Sequence, residues 1–203
     1  MFAQVIQGKT SNPEAFDAAI NQWLQDLASG ATGWLGSTSG VTEDGRAIAV
    51  VRFETEEDAR RNSNRPEQDQ WWSETSKLYD GEATFRDSTD VTVDLQGDPD
   101  QAGFVQIMQG RSSDPERARR LMEQDDSDKF AEFRPDVLGS VAIGHEDGGY
   151  TMVIYFTSEA EAREGERKEP PPEIQAQMEE MNKLSVGEME FFDLKRPVIV
   201  SPR

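Results

Sequence analysis

The residues of this chain best suited to chemistry are a pair of carboxamides and a group of indoles. Gln7 and Gln109 stand 102 positions apart in matching contexts, Val5-Ile6-Gln7-Gly8 and Ile107-Met108-Gln109-Gly110. A glutamine side chain offers a donor and an acceptor, so either could orient the polar group of a compound held in an apolar pocket. The competing reading is an amide that hydrogen-bonds the turn beside it. Trp23, Trp71 and Trp72 could wall such a pocket, or could be ordinary helix-to-sheet packing. In the second half of the chain the matching positions are Asp125, Gln177 and Met178. Any ligand site is therefore expected in the first half, with Gln7 at its polar end, because a charge facing an apolar ligand would have to be desolvated.

Other chemistries are poorly supplied. His145 is the only histidine and sits beside Glu146-Asp147-Gly148-Gly149. A working base or metal ligand needs an enclosed setting, and this one reads as an exposed turn. There is no cysteine, which removes thiol catalysis, disulfides and zinc fingers. Acidic pairs such as Glu56-Glu57 and Asp125-Asp126 lack metal-ligand spacing. No phosphate loop, nucleophile elbow or zinc signature is present. The expectation is a protein with no metal site and no tightly bound cofactor.

The elements that must position these residues occur twice. Gln7-Gly8, Ser11 and Pro13 return as Gln109-Gly110, Ser113 and Pro115. Leu35-Gly36-Ser37 and Asp44-Gly45 return 103 positions later as Leu138-Gly139-Ser140 and Asp147-Gly148, and Gly81-Glu82 returns 106 later as Gly187-Glu188. The offset changes only between elements, as insertions into loops would make it. Each copy starts with a short alternating strand; in the first, Phe2, Gln4 and Ile6 share one face and Ala3, Val5 and Gln7 the other. Asn12 and Asp114 then read as helix N-caps ahead of a proline. The apolar stripe Phe16, Ala19, Ile20, Trp23, Leu24 and Leu27 follows. Asp44-Gly45 marks a hairpin, Thr55 caps a second helix that breaks near Pro66, and Glu82–Leu95 reads as one closing strand. In the second copy Glu169-Pro170-Pro171-Pro172 marks the same break, and Pro197-Val198-Ile199-Val200 is a strand extension or a tail. The order β-α-β-β-α-β is that of a ferredoxin-like unit. Residues 1–96 form the first unit, 97–101 a polar linker and 102–203 the second.

The formal charge of -19 is spread over both copies, with 8 basic and 17 acidic residues in 1–96 and 13 and 23 in the remainder. With no basic face, nucleic acid and anionic membranes are not expected partners. No apolar run is long enough to span a bilayer, and Met1-Phe2-Ala3-Gln4 lacks the basic region of a signal peptide. A soluble, cytoplasmic protein is the resulting expectation.

The element order, the Gln-Gly turn after the first strand, the Asp-Gly hairpin and the tandem copying together resemble the dimeric α/β-barrel superfamily, close to the antibiotic-biosynthesis-monooxygenase-like domains. The resemblance implies an α+β fold in which two ferredoxin-like units join their bare sheet faces into an intramolecular dimeric α/β-barrel, with further homo-oligomers open. It implies a range of activities: cofactor-free oxidation of phenolic or anthrone-like compounds, haem degradation, isomerisation, or none. Gln7 and Gln109 fall where such relatives often carry a substrate-binding asparagine. The haem-degrading relatives place an iron-binding histidine on a helix, where this sequence has none. The expected function is binding of a small apolar or aromatic molecule, with cofactor-free oxidation as its catalytic form. The alternative is a non-catalytic tandem barrel that acts as a binding or interaction module.

Overall fold

A computed structural model describes residues 1–122 and 127–202. The first copy comprises β1 (Phe2–Lys9), α1 (Pro13–Asp26), β2 (Trp34–Val41), β3 (Arg46–Phe53), α2 (Glu56–Ser63), α3 (Pro66–Thr75) and β4 (Thr84–Ser88). After β5 (Val91–Leu95) the second copy follows with β6 (Phe104–Arg111), α4 (Pro115–Met122), α5 (Ser127–Phe133), β7 (Val137–Gly144) and β8 (Gly149–Phe156). It closes with α6 (Glu159–Gly165), α7 (Pro172–Leu184), β9 (Glu190–Leu194) and β10 (Val198–Val200).

These strands build two antiparallel five-stranded sheets, ordered β10-β2-β3-β1-β4 and β5-β7-β8-β6-β9. Within each sheet the four strands of one copy follow the ferredoxin-like order, and one added strand lies beside the copy's second strand. The added strands account for one departure from the sequence reading and decide between the two alternatives it left at 197–200, a strand extension or a tail. Glu82–Leu95 is two strands rather than one, interrupted where Asp90 N–H donates to Ser88 Oγ (3.0 Å), a local turn that competes with strand pairing. Residues 198–200 are a strand, paired antiparallel to Ser37–Ser39 of β2. The compact units accordingly run Met1–Val91 with Phe192–Arg203, and Thr92–Phe191, whereas the sequence repeat divides at 97–101. The chain is α+β, as its repeat implies.

Local chemistry sets the helix starts. Asn12 Oδ1 accepts from Ala15 N–H (3.1 Å) and Asp114 Oδ1 from Arg117 N–H (3.0 Å). Thr55 and Ser158 do the same for the helices after each hairpin. Each such cap contributes about 1 kcal/mol. Gly45 (φ 82°) and Gly148 (φ 77°) take the left-handed conformation that the Asp-Gly turns require. No helix among the described residues is long and apolar enough to cross a membrane.

The glycine after Gln7 has a different reason to be there. A Cβ on Gly8 would stand 2.6 Å from Cδ1 of Tyr79, whose ring is buried against Phe16. Gly8→Ala must therefore displace a packed ring, and a loss of about 1–3 kcal/mol is expected. Denaturant unfolding measures it, and an unchanged midpoint would contradict this packing.

Candidate functional site

In the first unit a cavity of about 90 Å³ lies between sheet and helices. Two cross-strand rows form its floor. Ser37 pairs with Val51 and Val51 with Gln4; Ser39 pairs with Ala49 and Ala49 with Ile6. Strand alternation puts Gln4 and Ile6 on this face and turns Ala3, Val5 and Gln7 to the other. In β2 a bulge between Trp34 and Gly36 shifts the register, so Ser37 and Ser39 reach the same side as Trp34 despite their odd spacing from it.

The helices supply an aromatic roof. Trp23 on α1 and Trp71 and Trp72 on α3 all line the cavity, with Tyr79 at one end. Their rings touch in sequence, Trp23 to Trp71 at 6.5 Å, Trp71 to Trp72 at 6.2 Å and Trp72 to Tyr79 at 6.1 Å between centroids. Trp34 meets Trp23 edge-on at 5.3 Å. Two indoles are fixed by hydrogen bonds: Trp23 Nε1 donates to Gln68 Oε1 (2.6 Å), and Trp71 Nε1 to the carbonyl of Ala19 (3.0 Å). Such anchoring keeps the ring faces in place when the space beside them is empty.

Polar groups punctuate this wall. Asn62 and Gln68 flank Arg65 at the α2–α3 junction, where Arg65 Nη1 donates to Asn62 Oδ1 (2.9 Å) and to the carbonyl of Leu27 (3.1 Å). Gln4 Nε2 donates to Asp87 Oδ1 (2.8 Å). Ser39 is 1% exposed, and its Oγ has no hydrogen-bond partner among the described residues. Leaving such a group unsatisfied costs roughly 1–3 kcal/mol.

Burial pushes the Tyr79 hydroxyl up to about 12. The folded state therefore holds its proton more tightly than the unfolded chain. That stability is fully present below pH ~10, the ordinary tyrosine value, and is lost as pH rises from there through about 12. Spectrophotometric titration at alkaline pH is expected to show Tyr79 ionising late, together with unfolding, beside Tyr150, whose hydroxyl burial also raises. Replacing Tyr79 by Phe should remove the Tyr79 share of the late absorbance change.

The structure thus brings Trp23, Trp71 and Trp72 together and leaves Gln7 out. Gln7 lies on the opposite face of β1, across from Ile48. Gln109 holds the equivalent place in the second sheet, across from Thr151, is buried, and donates through Nε2 to Thr151 Oγ1 (3.2 Å). Thr151 Oγ1 also lies 2.9 Å from His145 Nε2. His145 is half-buried, a correction to the exposed turn expected for it: the ring folds back onto Thr151. Of the positions matching the tryptophans, Gln177 donates to the carbonyl of Leu121, Met178 is exposed, and Asp125 lies outside the described residues. Gln4, Ser39, Asn62 and Gln68 are lining residues that sequence reading missed. Only Gln4 had a signal, its place on the Phe2/Gln4/Ile6 face.

Solved structures share this arrangement of elements. A candidate monooxygenase from Lactobacillus acidophilus NCFM superposes with a TM-score of 0.74 over 98% of this chain and 99% of its own, at 9% identity. A candidate monooxygenase from Fusobacterium nucleatum gives 0.75 over 98% and 94%, at 10% identity. An anthrone oxidase-like protein gives 0.68 over 98% and 92%, also at 10%. The chain has the antibiotic-biosynthesis-monooxygenase-like fold. No protein-family model and no curated protein sequence matches it significantly. At such identities the monooxygenase-like fold is what is shared, and activity has to be argued from this chain's own residues.

Proposed function

We propose that the first unit binds a small apolar or aromatic compound in the cavity beneath Trp23, Trp71 and Trp72, in a protein of the monooxygenase-like type. The observation that carries this reading is the run of hydrogen-bonded indoles over a floor of Ile6, Ala49 and Val51. Binding sites for small molecules are commonly built this way, mostly apolar with a few placed polar groups. Size restricts the ligand. A dry cavity of about 150 Å³ accepts benzene, so about 90 Å³ favours a single ring, admitted as the half-buried Trp72 gives way, over a tricyclic anthrone.

The same lining bears on catalysis. Oxidation of a ring CH₂ by dioxygen to a carbonyl and water begins with removal of a proton, and a base for that step needs a pKa near the working pH. The described lining offers amides, hydroxyls and Tyr79, which keeps its proton up to about 12. Binding without turnover is therefore the reading these residues favour, and cofactor-free oxidation would need a base from elsewhere.

Tryptophan emission tests the proposal, since all four tryptophans lie in this unit. Titration with ethylbenzene or toluene is expected to change emission saturably. Trp71→Ala should weaken binding at least about tenfold by removing one wall, while Gln7→Ala and Gln109→Ala leave it unchanged. Loss of binding only on Gln109→Ala would move the site to the second unit.

A further inference from the structure

Three amide side chains line the cavity, and their existing hydrogen bonds fix which end of each remains open. An indole nitrogen and a guanidinium can only donate. Trp23 Nε1 therefore occupies the carbonyl oxygen of Gln68, and Arg65 Nη1 that of Asn62. Each oxygen keeps a second lone pair, but its bond turns it toward the protein donor, so the end left facing away is NH₂, and neither NH₂ has a partner among the described residues. Asn62 is 7% exposed and lines the cavity, so little but the cavity is available to it. Ser39, on the floor, has a hydroxyl that is likewise without a partner. Gln4 is the exception: one N–H of its NH₂ goes to Asp87, which fixes the amide and adds a carbonyl acceptor at the β1–β4 side.

We infer that the cavity selects a compact, neutral, single-ring compound carrying a carbonyl-type acceptor, which the NH₂ groups of Asn62 and Gln68 bind at the α2–α3 junction. The inference rests on the binding reading above. Charge selection follows from the same lining. Among the described residues the lining holds no ionised side chain to neutralise an anion, and a buried unpaired charge is costly. Arg65, which donates to Asn62, is also engaged by the carbonyl of Leu27 and by Glu67. A ring without an acceptor would fill the aromatic space and leave the NH₂ groups unsatisfied.

Calorimetric titration of the full chain with acetophenone, ethylbenzene and benzoate separates these terms. Acetophenone is expected to bind about five- to tenfold more tightly than ethylbenzene, the size of one or two neutral hydrogen bonds, and benzoate not measurably. Asn62→Asp keeps an oxygen for Arg65 but replaces the donor by an acceptor; Gln68→Glu does the same while keeping an oxygen for Trp23. Each should erase the preference for acetophenone over ethylbenzene, whatever the introduced carboxylate does to the binding of both rings. Should a variant fail to fold, Asn62→Ser, which is smaller and still able to donate, gives the second reading: part of the preference survives. Equal binding of acetophenone and ethylbenzene, unaltered in both acidic variants, would overturn the donor assignment and leave the cavity reading intact. Failure of both neutral rings to bind would overturn the cavity reading and this inference with it.

Discussion

Residues 1–96 produced alone are expected to unfold without a cooperative transition, or with a midpoint well below that of the full chain. The first sheet draws its edge strand β10 from residues 198–200, and the compact unit that contains this sheet includes residues 192 onward. In that segment Leu194 is fully buried and packs on Gly40, and Arg46 stacks over the ring of Phe192 at 4.5 Å. Cutting after residue 96 leaves β2 as an unpaired edge, which invites aggregation, and bares the apolar surface that Leu194 covers. Burial of leucine and phenylalanine side chains contributes roughly 1.5–3 kcal/mol each, a large share of the stability of a domain this size. Joining residues 192–203 to the fragment through a flexible linker should raise the midpoint. A fragment 1–96 with the full chain's midpoint and a sharp transition would contradict the shared-strand construction.

Trp23→Ala is expected to be the most damaging single substitution at the site. Trp23 is buried, touches Trp34 and Trp71, and holds Gln68 through its indole nitrogen. Truncation removes those contacts and enlarges a space that is already open, so the loss should reach about 3–5 kcal/mol. Gln68 Oε1 also loses its donor, which frees the amide to rotate and present its oxygen to the cavity. Ligand binding should disappear even where the variant folds. Trp23→Phe separates the two effects: most of the packing is retained while the Gln68 contact is lost. Chemical denaturation together with titration of the folded variants checks both. A Trp23→Ala protein as stable as the parent would show that the roof is not built on this residue.

Much of this was legible in the chain. The duplicated Gln-Gly, Asn/Asp-x-Pro and Asp-Gly signals gave the element order, because caps, turns and strand alternation are decided by neighbours in sequence. The tryptophans were legible as a group, since positions 16, 20 and 23 share a helix stripe and positions 71 and 72 belong to the next helix but one. Gln7 was misjudged because a strand offers two faces and nothing local to it states which one the helices cover. Ser39 was hidden by the bulge at Trp34/Gly36, which changes the parity of everything after it in β2. Asn62 and Gln68 were hidden because their openness depends on Arg65 and Trp23, partners fixed only by packing. A strand extension at 197–200 was legible as one of two alternatives, but its partner β2, and the separation of 91–95 as a strand of its own, were not, because strand pairing over such separations is set by the assembled sheet.

The most direct test is a ¹H–¹⁵N spectrum of the full chain, in which the four tryptophan indoles give separate side-chain signals, recorded during titration with acetophenone. The expected result is saturable movement of the Trp23, Trp71 and Trp72 indole signals and of the Asn62 and Gln68 NH₂ pairs, with the Gln109 NH₂ and the Thr151 amide unmoved. Movement confined to Gln109, Thr151 and His145, with the indoles still, would contradict a ligand site in the first unit.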